Sequence, residues 1–240
     1  MNKLPLAALL ALSLSACQQS NDVLVVGTNA TFPPFEYMGG TDGSTVIGFD
    51  IDLAKQIAKD AGKTLKVENM NFDSLIVALN KGKIDFIASG MTITPERQAN
   101  VDFSEPYYEA TQAVLVQVNN ATINTEADLK DKKIGVQLGS TGDIMAKSLT
   151  PAVTAFNSGF EAVMELNNGK IDAVIFDKEP AQSFLAKNPT LKQVPMTFTT
   201  EYYGFAVSKD NPELVATINQ SLNKMKANGE YQSLLSKYMK

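Results

Sequence analysis

Short apolar runs alternate with segments of helical periodicity along most of the chain. The run Val23–Val26 is uniformly apolar and predicts a buried strand. In "GFDIDLAKQIAKDAG" the apolar residues recur at helical spacing, which predicts a helix capped by Asp50 and ended by Gly62. The alternation returns in the second half and leads to a helical tail broken at Gly229. This order predicts an α/β fold of parallel strands joined by crossover helices.

One phrase occurs twice, as "LNKGKIDFIASG" at Leu79–Gly90 and "LNNGKIDAVIFD" at Leu166–Asp177. Each copy predicts a helix end, a glycine that terminates the helix, and a strand, so we expect two lobes of similar plan. Ligands of open α/β sheets bind beyond the carboxyl ends of parallel strands. The residues at the end of each copy and just beyond it, 88–97 and 176–180, are therefore expected to form two walls of one cleft.

Composition narrows the function classes. The 240 residues are enough for one large domain or two small ones, and 44% apolar with 20% charged residues is typical of a soluble globular protein. The net charge is -5 with no basic stripe, so we expect no nucleic-acid partner. The sequence has no histidine and one cysteine, which excludes histidine-based catalytic triads, the common zinc sites and an intrachain disulfide. We expect no metal, no cofactor and no catalytic residue.

The N-terminus, "MNKLPLAALLALSLSAC", has a lysine, an apolar run too short for a stable membrane span, and small residues before Cys17. It predicts a signal peptide at residues 1–16. Its end resembles a bacterial lipobox, which implies that Cys17 is lipidated and that residues 17–21 tether the protein to a membrane. The alternative is a plain secretory signal cut near Ala16, with a free cysteine left by chance.

Four stretches, "GFDIDLAKQIAK", "MNFDSLIVALNKGKIDFIASGMTITPERQANVDFSEPYY", "IGVQLGSTGD" and "GKIDAVIFDKEPA", resemble the extracytoplasmic solute-binding proteins of ABC transporters for polar and basic amino acids. The resemblance implies a two-lobed periplasmic-binding-protein fold with two crossing strands as a hinge. Lobe 1 would comprise 22–109 and 201–240, and lobe 2 would comprise 110–200. We expect a lipid-anchored extracytoplasmic monomer that closes on a free L-amino acid and delivers it to a membrane permease.

The resemblance also implies roles for charged and hydroxyl residues. Arg97 matches the arginine that grips the ligand carboxylate, and its planar fork suits bidentate pairing. Thr92 assists it, and Thr141 contacts the carboxylate at a helix N-terminus. Asp177 matches the aspartate that pairs with the ligand ammonium. A zwitterion in a closed cleft needs both charges paired, because desolvation otherwise opposes binding.

The other matched positions are neutral. They comprise contacts near the amino group, aromatic residues that flank the ligand side chain, and two positions near the pocket: Ser89 and Gly90; Phe32 and Phe72; Asn29 and Gln137.

Each role has a structural alternative. Arg97 by itself fits an ion pair with Asp102 or Glu105, Asp177 fits a cap for the helix near Pro180, and each phenylalanine fits an ordinary core position.

Ligand identity is the least determined feature. Many basic-amino-acid binders of this family carry an aspartate where this chain has Asn29, which weakens the case for lysine. A guanidinium stacks on aromatic faces and accepts neutral partners, so arginine is less affected. Glu36 is shared with glutamine binders and does not discriminate. We expect arginine first, and glutamine or another polar amino acid as the alternative.

An enzyme on the same scaffold is the alternative of a different class, since some relatives are dehydratases. Such a site needs a general acid, for which Asp177, Lys178, Glu179 and Glu36 are available. A ligand-sensing domain of a larger receptor is a third possibility, which we expect least because no membrane-spanning stretch follows in this sequence. A binder already accounts for Asp177, so we expect no enzymatic activity.

Overall fold

The computed structural model describes residues 22–239, which form an α/β structure around two five-stranded sheets. The predicted signal peptide and Cys17 lie outside these residues. The helices are α1 (Phe49–Asp60), α2 (Leu75–Asn80), α3 (Pro95–Gln98), α4 (Thr141–Leu149), α5 (Gly159–Asn167), α6 (Lys178–Leu185), α7 (Pro212–Asn228) and α8 (Glu230–Tyr238), with two short 3-10 helices at Phe72–Ser74 and Glu126–Leu129. The strands are β1 (Val23–Thr28), β2 (Thr31–Phe32), β3 (Glu36–Gly39), β4 (Thr45–Ile47), β5 (Thr64–Asn69), β6 (Phe86–Ile87), β7 (Asp102–Phe103), β8 (Tyr108–Ala110), β9 (Gln112–Gln117), β10 (Ile134–Gln137), β11 (Val153–Phe156), β12 (Ala173–Asp177), β13 (Leu191–Val194), β14 (Glu201–Tyr203) and β15 (Ala206–Val207).

The two large sheets share one strand order. The first runs β5-β1-β6-β15-β7 and the second runs β11-β10-β12-β9-β13. In each, the first three strands are parallel, whereas the fourth (β15 or β9) is antiparallel to both neighbours. The predicted α/β class is confirmed, but the sheets are mixed rather than wholly parallel. The reason is connectivity, because each antiparallel strand is the one that enters its sheet directly after the chain has crossed from the other.

The crossings form a separate two-stranded sheet. Strands β8 and β14 pair antiparallel, with Glu201 opposite Ala110 and Tyr203 opposite Tyr108. The two crossing strands expected from the sequence are therefore present. An aromatic cluster packs beneath them, in which the ring of Phe35 lies 4.9 Å from that of Tyr108 and 5.2 Å from that of Tyr203, both edge-on. Edge-to-face rings at these distances are favourable, so the crossing is anchored in the core.

Helix α1 shows where the capping prediction fails. Asp50 lies inside its first turn, the helix begins after Gly48, and no side chain caps it. The Asp50 carboxylate instead turns inward and accepts hydrogen bonds from the amide of Gly90 and the hydroxyl of Tyr107. A Cβ at Gly48 would lie 2.0 Å from the carbonyl oxygen of Phe35, so the close backbone approach determines this position.

The remaining boundaries follow the sequence closely. Gly62 and Gly229 adopt left-handed φ values of 68° and 84°, and they terminate α1 and separate α7 from α8 as predicted. The segment "EYYGFAVSK", predicted as one strand, is divided between β14 and β15. Within residues 22–239, no helix combines the length and the apolar character needed to cross a bilayer.

Candidate functional site

Strands β6 and β12 direct their carboxyl ends toward one narrow cavity of about 10 Å³ between the two sheets. Nearly all of the residues predicted for the site line it; Asn29 does not, and Ser140 joins them. The lining residues are Phe32, Phe72, Ser89, Gly90, Thr92, Arg97, Gln137, Ser140, Thr141 and Asp177. A larger depression of about 530 Å³ between α1, α7 and α8 opens to solvent and contains none of the predicted residues.

Arg97 lies on the short helix α3, whose N-cap Thr94 accepts a hydrogen bond from the Arg97 amide. The side chain is buried, and its guanidinium donates to the carbonyl of Thr92 at 2.7 Å and to that of Gly139 at 3.0 Å. It also lies over the Phe72 ring, 5.3 Å from the centroid.

No carboxylate in the described part of the chain lies within ion-pair distance of Arg97, so the alternative pairing with Asp102 or Glu105 is not formed. Burial lowers the pKa of the guanidinium, while the negative charges of Asp177 and Glu201 oppose that shift. A buried cation held only by neutral carbonyls is therefore available to an anionic ligand group.

Asp177 ends β12 on the opposite wall. It occupies the N-cap position of α6, but its carboxylate makes no capping hydrogen bond and instead accepts one from the amide nitrogen of Gln112. Burial raises the pKa of this carboxyl group well above its usual range; nearby Glu201 raises it further and Arg97 lowers it. A cationic group placed beside Asp177 would stabilise its charged form.

Ser89 and Gly90 form the wall that follows β6. Gly90 has a left-handed φ of 48°, and a Cβ there would lie 2.5 Å from Cε1 of Phe32, so only glycine fits. The Ser89 hydroxyl donates to Oε1 of Glu36 at 3.0 Å and accepts from the amide of Asn29. The wall therefore presents its backbone to the cavity, and the hydrogen bonds of Ser89 hold it in place from the side away from the cavity.

Two fully buried carboxyl groups, Glu36 and Asp50, support that wall. Asp50 accepts from the Gly90 amide at 2.9 Å and from the Tyr107 hydroxyl at 2.6 Å. Burial raises the pKa of Asp50 to about 6, and burial together with the Asp50 charge raises that of Glu36 well above its usual range. Sequence reasoning gave Asp50 the role of a helix cap and Glu36 that of a candidate acid, and it did not predict that both support this wall.

Asn29 and Gln137 meet beside the cavity. The amide nitrogen of Gln137 donates to Oδ1 of Asn29 at 2.9 Å, and Nδ2 of Asn29 donates to the carbonyl of Met70 at 2.8 Å. Asn29 follows β1 of the first sheet, and Gln137 ends β10 of the second sheet. Two neutral amides therefore connect the walls at this end of the cleft.

The sequence profile of the bacterial extracellular solute-binding proteins, family 3, matches residues 24–240. The chain belongs to this family. A "probable histidine-binding protein" of Campylobacter jejuni is 38% identical to this solute-binding protein over 97% of this chain and 96% of the relative. The "ABC transporter arginine-binding protein 1" of Escherichia coli is also 38% identical, over 98% and 97% of the two chains.

Solved structures give the same fold. A structure described as an ancestral arginine-binding protein bound to arginine is 45% identical, covers 91% of this chain and 99% of its own, and has a TM-score of 0.86. A second structure of an ancestral arginine-binding protein, bound to glutamine, has a TM-score of 0.85 at 45% identity, with 90% and 97% of the chains covered.

Sequence reasoning missed three polar residues at the cleft of this solute-binding protein. Ser140 caps α4 beside Thr141 and lines the cavity, a position that "GST" at the start of a helical pattern already signals. Gln112 begins the apolar strand "QAVLVQ" and is nonetheless buried. Glu201 lies on β14 and accepts hydrogen bonds from Thr92 and Thr141. For Gln112 and Glu201, the sequence signal that could have identified them was a polar residue within or beside an expected crossing strand.

Proposed function

We propose that this protein binds a free L-amino acid in the cleft between its sheets, with L-arginine preferred and glutamine or another polar amino acid as the alternative. The observation that carries the proposal is the placement of buried Arg97 and buried Asp177 on opposite walls of one cavity. Neither has a partner of opposite charge within ion-pair distance among residues 22–239. A zwitterion supplies both partners at once.

In the proposed complex, the ligand carboxylate pairs with Arg97 and the ammonium pairs with Asp177. Thr92, Thr141, Ser89 and the wall at Gly90 complete the polar contacts. The ligand touches both walls, so it favours the closed arrangement by its differential contacts.

The charge balance of the cleft supports a cationic ligand. Two carboxylates, Asp177 and Glu201, lie near one guanidinium, Arg97, so the cleft favours a ligand with net positive charge. The faces of Phe32 and Phe72 suit a guanidinium, and the Asn29–Gln137 pair offers neutral hydrogen-bonding groups. Relatives named for arginine binding support the same choice.

Calorimetry of the mature protein against the twenty amino acids tests the proposal. We expect L-arginine to bind with a Kd at or below ~1 µM, about -8 kcal/mol. Strong binding of glutamine or histidine without binding of arginine would overturn the ligand preference, and binding of no amino acid would overturn the function.

The two lobes are proposed to be residues 22–109 with 201–240, and residues 110–200. The division follows the two sheets and places the β8–β14 pair at the hinge. Small-angle scattering with and without saturating L-arginine tests the movement, and an unchanged radius of gyration would contradict it.

The partner is proposed to be the membrane permease of an ABC transporter, with the protein acting as a monomer anchored outside the cytoplasm through lipidated Cys17. The family is extracellular, which supports this location. A Cys17→Ala variant is expected to leave the membrane fraction, whereas wild-type protein should remain there; equal partitioning of the two would contradict the anchor.

We propose that the protein has no enzymatic activity. The relatives are binding proteins, and two of the carboxyl groups considered for general acid catalysis have hydrogen-bond partners in the protein: Asp177 accepts from Gln112, and Glu36 accepts from Ser89. Incubation with prephenate and arogenate tests this, and measurable turnover would reinstate the dehydratase alternative.

A further inference from the structure

Glu201 makes an unexpected bridge at the cleft. Its Oε2 accepts a hydrogen bond from the Thr92 hydroxyl at 2.9 Å and another from the Thr141 hydroxyl at 2.8 Å. Thr92 follows β6 in the first sheet region, whereas Thr141 begins α4 in the second. One carboxylate oxygen therefore joins the two walls.

The donors that Glu201 uses are those expected to hold a ligand carboxylate. Thr92 and Thr141 are both in the cavity lining with Arg97, and the Glu201 charge acts on the Arg97 guanidinium. Hydroxyl donors shared with an anion make strong hydrogen bonds, and each hydroxyl has only one proton to donate. A ligand carboxylate that uses these protons must take them from Glu201.

Gln112 connects Glu201 with Asp177, the residue expected to pair with the ligand ammonium. Its amide nitrogen lies 3.5 Å from each Glu201 oxygen and 3.2 Å from the Thr141 hydroxyl, and it donates to Asp177. Asp177 and Gln112 are directly opposite in the β12–β9 register. Because these neighbours are acceptors, the amide must present its nitrogen, which places it between Asp177 and Glu201 at the edge of the cavity.

We propose that Glu201 acts as an internal stand-in for the ligand carboxylate, which stabilises the closed arrangement of the free protein and lowers the apparent affinity for ligand. The proposal rests on the proposed function. The position of Glu201 on crossing strand β14 allows it to reach both walls, and the cavity of about 10 Å³ is far smaller than the roughly 300–1,000 Å³ of typical ligand pockets. Apparent affinity falls by the fraction of molecules that is competent to bind.

Two measurements on Glu201→Ala test the proposal. By calorimetry, L-arginine should bind at least about threefold more tightly than to wild type, because the internal competitor is gone. By small-angle scattering without ligand, the variant should have a larger radius of gyration. Glu201→Gln retains an acceptor oxygen for the two hydroxyls but loses the negative charge, so it should fall between the two.

Glu109→Ala is the matched control, since Glu109 lies on the paired strand β8 with its side chain exposed. It should leave both quantities unchanged. Weaker arginine binding by Glu201→Ala would identify Glu201 as a ligand contact and overturn the proposal. Unchanged affinity with only a lower Tm would also overturn it, because that result describes a structural role.

The proposed function fails separately. If wild-type protein binds neither L-arginine nor L-glutamine, the function is wrong, while the scattering comparison of the free proteins still decides whether Glu201 holds the walls together.

Discussion

The two copies of the repeated phrase build the same junction in the two sheets. Gly82 and Gly169 end their helices with left-handed φ values of 65° and 69°. In each copy the next residue, a lysine, donates its amide to a helix carbonyl five residues earlier, at 3.0 Å in the first and 3.1 Å in the second. Only glycine adopts this conformation freely, so the shared phrase is explained by helix termination.

The isoleucine and the aspartate of each copy also have matching roles. Ile84 packs over Gly27 in β1, and Ile171 packs over Gly135 in β10. The Asp85 carboxylate accepts from the amide of Val25 at 2.7 Å, and that of Asp172 accepts from the amide of Lys133 at 2.8 Å. The shared part of the phrase, which ends at Asp85 and Asp172, thus attaches each strand to its parallel neighbour. Apart from Lys81 and Asn168, the copies differ only beyond it, where β6 ends at Ile87 and β12 continues to Asp177. Similarity marks the support, and divergence marks the surfaces that face the cleft.

The largest expected effects come from changing residues beyond the shared phrase. Arg97→Ala and Asp177→Asn should each weaken L-arginine binding by about 2–5 kcal/mol, because each leaves a ligand charge without its partner. Asp177→Asn should keep the fold stable, since the Gln112 amide still finds an acceptor. Calorimetry with thermal unfolding measures both quantities. Asp172→Asn, within the shared phrase, is the matched control and should bind normally; equal affinity of the Asp177 and Asp172 variants would contradict the comparison.

The glycines beneath the isoleucines provide the next test. A Cβ at Gly27 would lie 2.3 Å from Cδ1 of Ile84, and one at Gly135 would lie 2.5 Å from Cδ1 of Ile171. Gly27→Ala and Gly135→Ala should each lower the free energy of unfolding by about 1–3 kcal/mol through overpacking, as measured by denaturant titration.

The rescue variants sharpen that result, because Ile→Val removes the clashing Cδ1. Ile84→Val should recover more of the loss at Gly27 than Ile171→Val recovers at Gly135. The next neighbour at Gly27 is Cδ2 of Leu75 at 3.1 Å, the end of a side chain that can rotate, whereas at Gly135 it is Cβ of Ala162 at 3.2 Å, which is fixed to the backbone. Purely additive effects in both double variants would show that contact with the isoleucines is not what requires glycine at positions 27 and 135.

Much of this plan could be predicted from the sequence because it depends on local signals. The helix ends at Gly82 and Gly169 and the strands after them follow from short-range chemistry. The placement of Arg97 and Asp177 at the cavity was predicted from the resemblance of the motifs to a known family.

Glu201 and Gln112 were not predicted, because Asp177, the acceptor for Gln112, lies 65 residues away in sequence and Thr141, a donor to Glu201, lies 60 residues away. The inward turn of Asp50 was missed for the same reason: the pattern of a helix start does not reveal that Tyr107 and Gly90 supply better partners than the helix amides.

The pH dependence of the free energy of unfolding should distinguish the buried acids behind the two walls of the cleft. Behind the first wall, Asp50 and Glu36 are buried without a cation, whereas buried Asp143 of the second sheet region pairs with Lys147 at 2.9 Å. Burial raises the pKa of Asp50 to about 6 from 3.8, so the folded state binds this proton more tightly than the unfolded state. Stability from this group is present at low pH and lost as pH rises through about 6.

The free energy of unfolding should therefore fall by about 1 kcal/mol from Asp50 alone between pH 5 and pH 7, and Glu36, whose pKa is also raised, adds in the same direction. The chain has no histidine, so no imidazole titrates between pH 5 and pH 7. Asp50→Asn retains an acceptor for Gly90 and Tyr107 and should flatten the dependence in denaturant titrations. An equally steep profile in this variant would assign the proton elsewhere.

The smallest effect concerns the matching aspartates. Asp85→Ala and Asp172→Ala each remove the acceptor for a strand amide, which costs roughly 1 kcal/mol when the group is half-buried and less when water replaces it. Asp85 is half-buried and Asp172 is exposed, so unfolding titrations should show the larger loss at Asp85. The asparagine variants retain an acceptor and should recover most of it. If the two alanine variants instead differed in arginine affinity, the shared phrase would contribute to binding as well as support, and the division between support and surface would have to be redrawn.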